Sequence, residues 1–511
     1  MSEESKDIIQ SEEKPEESTS QTSSYRSIFK ATSLFGGVQV YQILIGIIKS
    51  KFVAVLLGPA GMGIQGLYQS TLDVIKSLTA FGLEQSAVRD ISEANGTNDS
   101  KRIGRTVATV RKLVWLTGTL GLVAALIFSP LLSQWTFGNG DFTWGFIILS
   151  STLLLNQICA GQKVVLQGMR RLKDLAKASA IGSTVGLLVS IPLYYWLGVK
   201  GIVPTMVLIS ATALLLSWFY SRKVPVEKVE VKVSEAVQNG KSMLKMGVAM
   251  SVSGILVSLS GYLLRWFIRQ QGGVDEVGLF AAGLLITHTY VGMVFSAMST
   301  DYYPRLASVN KNNVRCREVI NQQGEIALLI ITPIIISCIL LMPFIIKLIY
   351  SEEFLPANDY IMFAVSGMLF KAASFVVSYV FLAKAESKLF IINEISSCIY
   401  CVGLNIVGYY LYGLTGLGIS FAVGYIIYLA QVYLISRHRY GFNFSESFLK
   451  IFAIQLIMVV TSLTLMLLWK SVWVYLPSGI LFIICTAYSL NELNKRIEIK
   501  AFVEKKMRKN Q

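Results

Sequence analysis

Hydrophobic positions along the chain gather into long runs separated by short polar connections. Fourteen runs of about 20 residues or more follow one another from 31–57 to 472–490, each able to cross a ~30 Å hydrocarbon core. Each is expected to be helical, because unpaired backbone N–H and C=O groups are too costly in lipid. The predicted fold class is therefore all-α and integral to a membrane, with about 14 transmembrane helices. The run 64–83 is the weakest, because Asp73 and Lys76 interrupt it. Residues 1–27 are rich in Ser, Glu and Lys and lack an apolar stretch of the cleaved-leader type, which predicts a disordered cytosolic tail.

The runs repeat. Tyr194-Tyr195-Trp196-Leu197-Gly198 returns 215 residues later as Tyr409-Tyr410-Leu411-Tyr412-Gly413, and the same offset carries Gly58 and Gly63 onto Gly273 and Gly278. Two separate turns sharing one offset predict two pseudo-symmetric six-helix lobes, 28–222 and 243–438, joined by a charged linker at 223–242. An even number of spans per lobe orients both copies alike, with a pseudo-twofold axis along the membrane normal. The stretch 439–492 has no counterpart and reads as two extra helices packed outside the second lobe. A basic tail, 493–511, closes the chain.

Composition changes the picture only once the charges are placed. The chain has 46 Lys and Arg against 31 Asp and Glu, a net charge of +15. Most of these cations fall in alternate connections and the two tails, while the opposite connections hold Lys200, Arg269 and Lys470. This pattern puts both termini in the cytosol and accounts for the basic balance without nucleic acid. The six cysteines form no disulfide framework, and Cys398 and Cys401 read as packing residues within one apolar helix. No phosphate loop, GxSxG or HExxH pattern is present, so an enzyme is not expected, nor a cofactor or metal. The Gly58–Gly63 stretch reads as a turn between spans.

Charge inside a span costs about 2.5–3.5 kcal/mol at mid-depth and so marks candidate chemistry. Gln39, Gln42, Gly46 and Lys49 share one face of the first helix, with Lys51 nearby. Adding 215 to Lys49 and Lys51 brackets Arg265, so both lobes are expected to place cations at equivalent depth around a central cleft; snorkelling to headgroups is the alternative. Lys371, on the polar stripe of helix ten, joins this substrate-binding set. Asp73 maps onto His288, a pair suited to ion coupling. Lys76 beside Asp73 is alternatively a neutralising partner, and His288 a packing residue. Glu84, Arg89, Asp301 and Arg305 lie near inner helix ends, as a cytosolic gate or as interface anchors. Glu325 and Glu394 are expected to be solvated.

Four segments carry a family resemblance. The first helix ends in Phe52-Val53-Ala54-Val55-Leu56-Leu57-Gly58-Pro59-Ala60-Gly61-Met62-Gly63, and the second closes with Phe81-Gly82-Leu83-Glu84-Gln85-Ser86-Ala87-Val88-Arg89. Together with Leu166-Gln167-Gly168 and Asp301-Tyr302-Tyr303-Pro304-Arg305-Leu306, these resemble Wzx-type polysaccharide flippases, over nearly the whole chain to about residue 438. The resemblance implies the multidrug/oligosaccharidyl-lipid/polysaccharide exporter fold in a bacterial inner membrane. It implies an undecaprenyl-pyrophosphate-linked oligosaccharide, such as an O-antigen unit, moved from inner to outer leaflet. Lys49, Lys51 and Arg265 would then meet the pyrophosphate. Partners implied are membrane lipids and the polysaccharide polymerase and chain-length machinery. The rivals are a multidrug exporter of the same fold, a membrane glycosyltransferase or polymerase, which the short outer loops disfavour, and a non-transporting scaffold.

Overall fold

The computed structural model describes residues 16–97, 99–469 and 471–497. Among them there is no strand. The helices run α1 (Glu16–Thr79), α2 (Leu83–Gly96), α3 (Ser100–Phe137), α4 (Thr143–Gly168), α5 (Leu172–Leu197), α6 (Ile202–Ser221), α7 (Val233–Leu284), α8 (Met293–Ser308), α9 (Asn313–Ile349), α10 (Asn358–Ala383), α11 (Ser387–Tyr440), α12 (Glu446–Leu468) and α13 (Tyr475–Ile497). Ten helical stretches among the described residues are long and apolar enough to cross a membrane.

Four of those stretches are double-length: Gly37–Thr79, Leu172–Ser221, Ser251–Ser296 and Lys388–Tyr440, of 43, 50, 46 and 53 residues. A straight helix of 43 residues would be about 65 Å long, twice the hydrocarbon thickness. Each is broken by one glycine. Gly58 (φ 64°, ψ −172°) matches Gly273 (φ 82°, ψ −174°), and Gly198 (φ 55°, ψ −135°) matches Gly413 (φ 57°, ψ −140°). Positive φ at these ψ values is a conformation glycine alone adopts without strain, so the repeated glycines are repeated bends. Beyond Gly413 the chain folds back: the Ser420 hydroxyl donates to the Leu404 carbonyl at 2.7 Å, bringing residues 16 apart together.

The two bends at Gly58 and Gly273 meet each other. A Cβ on Gly63 would lie 2.0 Å from the Val274 carbonyl oxygen, and one on Gly278 would lie 1.9 Å from that of Pro59. Adding 215 to 59 and 63 gives 274 and 278, so this contact maps onto itself under the repeat, as an isologous interface does. The second arm of α1 then runs along the first arm of α7. Ser77 and Ser258 hydroxyls meet at 2.9 Å, and a Cβ on Gly82 would touch the Gly247 carbonyl at 2.0 Å.

Several polar connections are more ordered than the sequence reading had them. The tail expected over 1–27 lies outside the described residues to position 15, and helix begins at Glu16. The tail 493–511 lies largely outside them. The connection near 84–112 is α2 plus the start of α3: Leu83, Ala87 and Ile91 recur at helical spacing and pack with Val107, Val110 and Met243 in a satellite core. The linker has no regular secondary structure over 225–232, and its second half is already α7. The last pair, α12 and α13, packs on α9. Glu325 of α9 is not simply solvated: its carboxylate takes the Arg496 guanidinium of α13 at 2.7 Å and the Ser445 hydroxyl at 3.2 Å. The missing side chain of Gly324 admits the Phe448 ring, which a Cβ there would meet at 2.6 Å.

Candidate functional site

Between the arms of α1 and the helices of the second repeat lies a cavity of about 830 Å³. From α1 it receives Lys49, Gln69 and Asp73; from α7, Ser258 and Arg265; from α11, Glu394 and Tyr425. His288 enters from a π-helical turn, Leu285–Val291, which joins α7 to α8. Such a turn inserts one residue into the helical ladder and re-aims the side chains that follow, a device frequent at functional sites. The His288 ring packs edge-on against Phe421 with centroids 5.9 Å apart.

Arg265 is the best-defined cation. Its Nη1 donates to the Gly261 carbonyl at 3.0 Å, and the guanidinium lies over the Phe280 ring at 5.8 Å. Its Nε is buried and has no hydrogen-bond partner among the described residues. A buried guanidinium donor left unused costs free energy until something accepts from it. Lys49 lines the same cavity and makes no hydrogen bond or ion pair with a described residue. Asp73 is oriented by Gln69, whose amide donates to its carboxylate at 2.9 Å, and it feels Arg265 across the cavity without forming an ion pair.

Other expected residues fall elsewhere. Lys51 is not a cavity cation. Two residues along a helix is a rotation of about 200°, so Lys49 and Lys51 face opposite ways. The Lys51 ammonium donates instead to the carbonyls of Lys347 (2.7 Å) and Tyr350 (2.5 Å), capping the C-terminal end of α9. Gln39 is exposed and Gln42 half-buried, and neither lines the cavity. They stand ten and seven residues before Lys49, about 15 and 10 Å along the axis, past the cavity's end. Lys76 pairs with Glu84 at 3.0 Å across the Gly82 break, and not with Asp73. Lys371 does not line the cavity directly; its ammonium sits 5.4 Å from the Phe295 and Tyr425 ring centroids. Arg305 joins α8 to α9 through Gln323 at 2.6 Å, and Arg89 is exposed on α2 against the Met246 sulfur of α7. The Asp301 side chain lies outside the described residues.

The α11 face was missed. Glu394, Ser397, Cys398, Cys401 and Asn405 all line the cavity, so Glu394 is not a solvated end residue and the two cysteines are not packing alone. The signal was available: positions 394, 397/398, 401 and 405 repeat the spacing that marked α1. The cavity therefore holds two cations, Lys49 and Arg265, and two carboxylates, Asp73 and Glu394. Such a lining offers donors to an anion and acceptors to a cation or proton.

Comparison with known proteins agrees with this architecture. The chain is 22% identical to the lipid III flippase of Escherichia coli K12 over 427 residues, covering 81% of this chain and all of that protein. Its fold matches the inward-facing conformation of a multidrug resistance MATE family transporter of the MOP superfamily, with a TM-score of 0.69, 17% identity, and 78% and 94% of the two chains covered. It also matches the lipid II flippase MurJ in an inward closed conformation, at 0.67, 15% identity, and 90% and 99% coverage. A family model described as polysaccharide biosynthesis protein matches residues 52–359. With more than half its length under that model, in an all-helical membrane fold, the chain belongs to the polysaccharide biosynthesis protein family.

Proposed function

We propose that the chain is a bacterial inner-membrane flippase, not an enzyme, that moves a lipid-linked oligosaccharide from the inner to the outer leaflet by alternating access. The substrate we assign is an undecaprenyl-pyrophosphate-linked unit of O-antigen or a related surface polysaccharide. The lipid III flippase and the MurJ fold support lipid-linked cargo. The observation that carries the reading is the buried, unpartnered Nε of Arg265 beside a cavity that also holds Lys49. A pyrophosphate oxygen would satisfy that donor with a charge-assisted hydrogen bond, while the lipid tail stays in the bilayer. The repeat supplies the mechanism: lobes that meet along an isologous contact rock about it and expose the cavity to each side in turn. The positive-inside pattern supports a cytosolic position for both termini. A polymerase and chain-length machinery are the partners expected downstream.

A second reading, a multidrug exporter, is favoured by one specific feature. Asp73 and Glu394 line the same cavity and would suit a cationic drug. Proteoliposomes discriminate the two. The flippase reading expects protein-dependent transfer of an undecaprenyl-pyrophosphate oligosaccharide between leaflets, scored by loss of access to an impermeant glycosidase, with no transport of a cationic dye. Dye transport without lipid transfer would establish the exporter.

A further inference from the structure

A second groove is separate from the cargo cavity. It has a volume of about 1240 Å³ and lies between the first half of α3 and the irregular linker 225–232. Its α3 wall is a single stripe, Gly104, Ala108, Arg111, Trp115 and Thr119, at spacings of four, three, four and four. Gly104 lets the linker backbone close against α3: a Cβ there would lie 2.5 Å from the Glu227 carbonyl oxygen. The linker is strapped down by Val224 and Val231, which are 8% and 5% exposed, and by the Arg105–Glu235 pair at 3.9 Å. Val224 and Val231 anchor the linker, while Glu227, Lys228, Glu230 and Lys232 line the groove beside Val226 and Val229.

Four groove cations, Arg111, Lys112, Lys228 and Lys232, make no ion pair or hydrogen bond through their side chains to a described residue. Two carboxylates, Glu227 and Glu230, remain once Glu235 is paired, leaving the groove net positive. No backbone N–H from 226 to 231 donates to another described residue. Trp115 and Leu116 stand at the head of the apolar run of α3, 54% and 47% exposed. An exposed Trp there marks the depth of lipid headgroups, and a basic pocket at that depth on the cation-rich face meets the anionic leaflet. We propose that this groove binds the phosphodiester headgroup of an anionic phospholipid such as phosphatidylglycerol. The free cations and linker amides take the phosphate, and Trp115 and Leu116 border the acyl chains. The proposal is independent of the cargo: it concerns a resident lipid that staples the linker between the two repeats to α3.

The test uses the full chain in neutral detergent, titrated with phosphatidylglycerol or with phosphatidylcholine of the same acyl chains, and counts bound lipid by native mass spectrometry. Wild type should retain phosphatidylglycerol preferentially, and less so when salt rises from about 0.05 M to about 0.5 M. K228Q/K232Q should weaken retention by about fivefold per cation removed. K173Q/K177Q, cations outside the groove, should leave it unchanged. Thermal unfolding of each variant without lipid confirms a folded sample, and R111K, which keeps the charge, should retain preference if R111Q loses it. Equal retention of the two lipids by wild type, or wild-type preference in K228Q/K232Q, overturns the proposal. Displacement of phosphatidylglycerol by stoichiometric undecaprenyl pyrophosphate would assign the groove to the cargo and overturn it as well.

Discussion

Gly278→Ala tests whether the repeat-related contact is a seal that must open. The added methyl carbon would lie 1.9 Å from the Pro59 oxygen, 2.7 Å from its carbon and 3.1 Å from the Gly63 nitrogen. All three are backbone atoms, so no side chain can swing aside, and one helix must retreat by about 1.5 Å to restore ordinary contact. Overpacking of this kind costs about 1–3 kcal/mol. That cost falls only on the conformation in which the arms touch. A difference of about 2 kcal/mol between two states shifts their ratio roughly thirtyfold toward the conformation open on that side. Cys398 and Cys401 line the cavity and serve as reporters once the other four cysteines are replaced. Labelling by an impermeant maleimide from the outside should accelerate at least tenfold in Gly278→Ala, and comparably in Gly63→Ala, whose methyl would meet the Val274 oxygen at 2.0 Å. Wild-type labelling in a variant of normal abundance would refute the idea that this contact closes the outer side.

Three further outcomes follow from the placement of single residues. Lys51→Met removes two bonds to the end of α9, worth about 1.5–3 kcal/mol each at most for a charged donor; turnover should change while the apparent KM for cargo stays near wild type, whereas Lys49→Gln should raise KM. Arg496→Ala leaves Glu325 at 12% side-chain exposure without its partner and should lower the melting temperature; Glu325→Gln/Arg496→Met should recover part of the loss, and a double-mutant cycle showing no coupling would contradict the clasp. Deleting residues 445–511 should reduce abundance while transport per inserted molecule is kept, because α12 and α13 pack on α9 and contribute no residue to the cavity; normal abundance with abolished transport would instead make the pair part of the lipid path.

Much of the fold was legible because lipid removes alternatives. An apolar run in a bilayer must be helical, and a bend with positive φ needs glycine, so Gly58, Gly198, Gly273 and Gly413 could be seen as matched breaks before any coordinates. What was harder to read was which face of each helix turns inward. Lys49 and Lys51 looked like neighbours at equal depth, yet helical rotation alone separates them. The α11 stripe was quieter, because serine, cysteine and asparagine stand out little from an apolar sequence. The destination of Lys76 was illegible for another reason: the Gly82 break redirects the chain and brings Glu84 within 3.0 Å. The π-helical turn at His288 has no composition of its own to mark it in the sequence.

The central claim is that Arg265 holds the anionic group of a lipid-linked cargo. Its most direct measurement is leaflet transfer of undecaprenyl-pyrophosphate oligosaccharide in proteoliposomes carrying wild type, Arg265→Lys or Arg265→Ala at matched insertion. The loss of a charge-assisted contact to phosphate, about 1.5–3 kcal/mol, predicts a fall in transfer of at least tenfold for Arg265→Ala. Arg265→Lys should be intermediate, because charge survives without the planar fork. Transfer by well-inserted Arg265→Ala at the wild-type rate would contradict the claim.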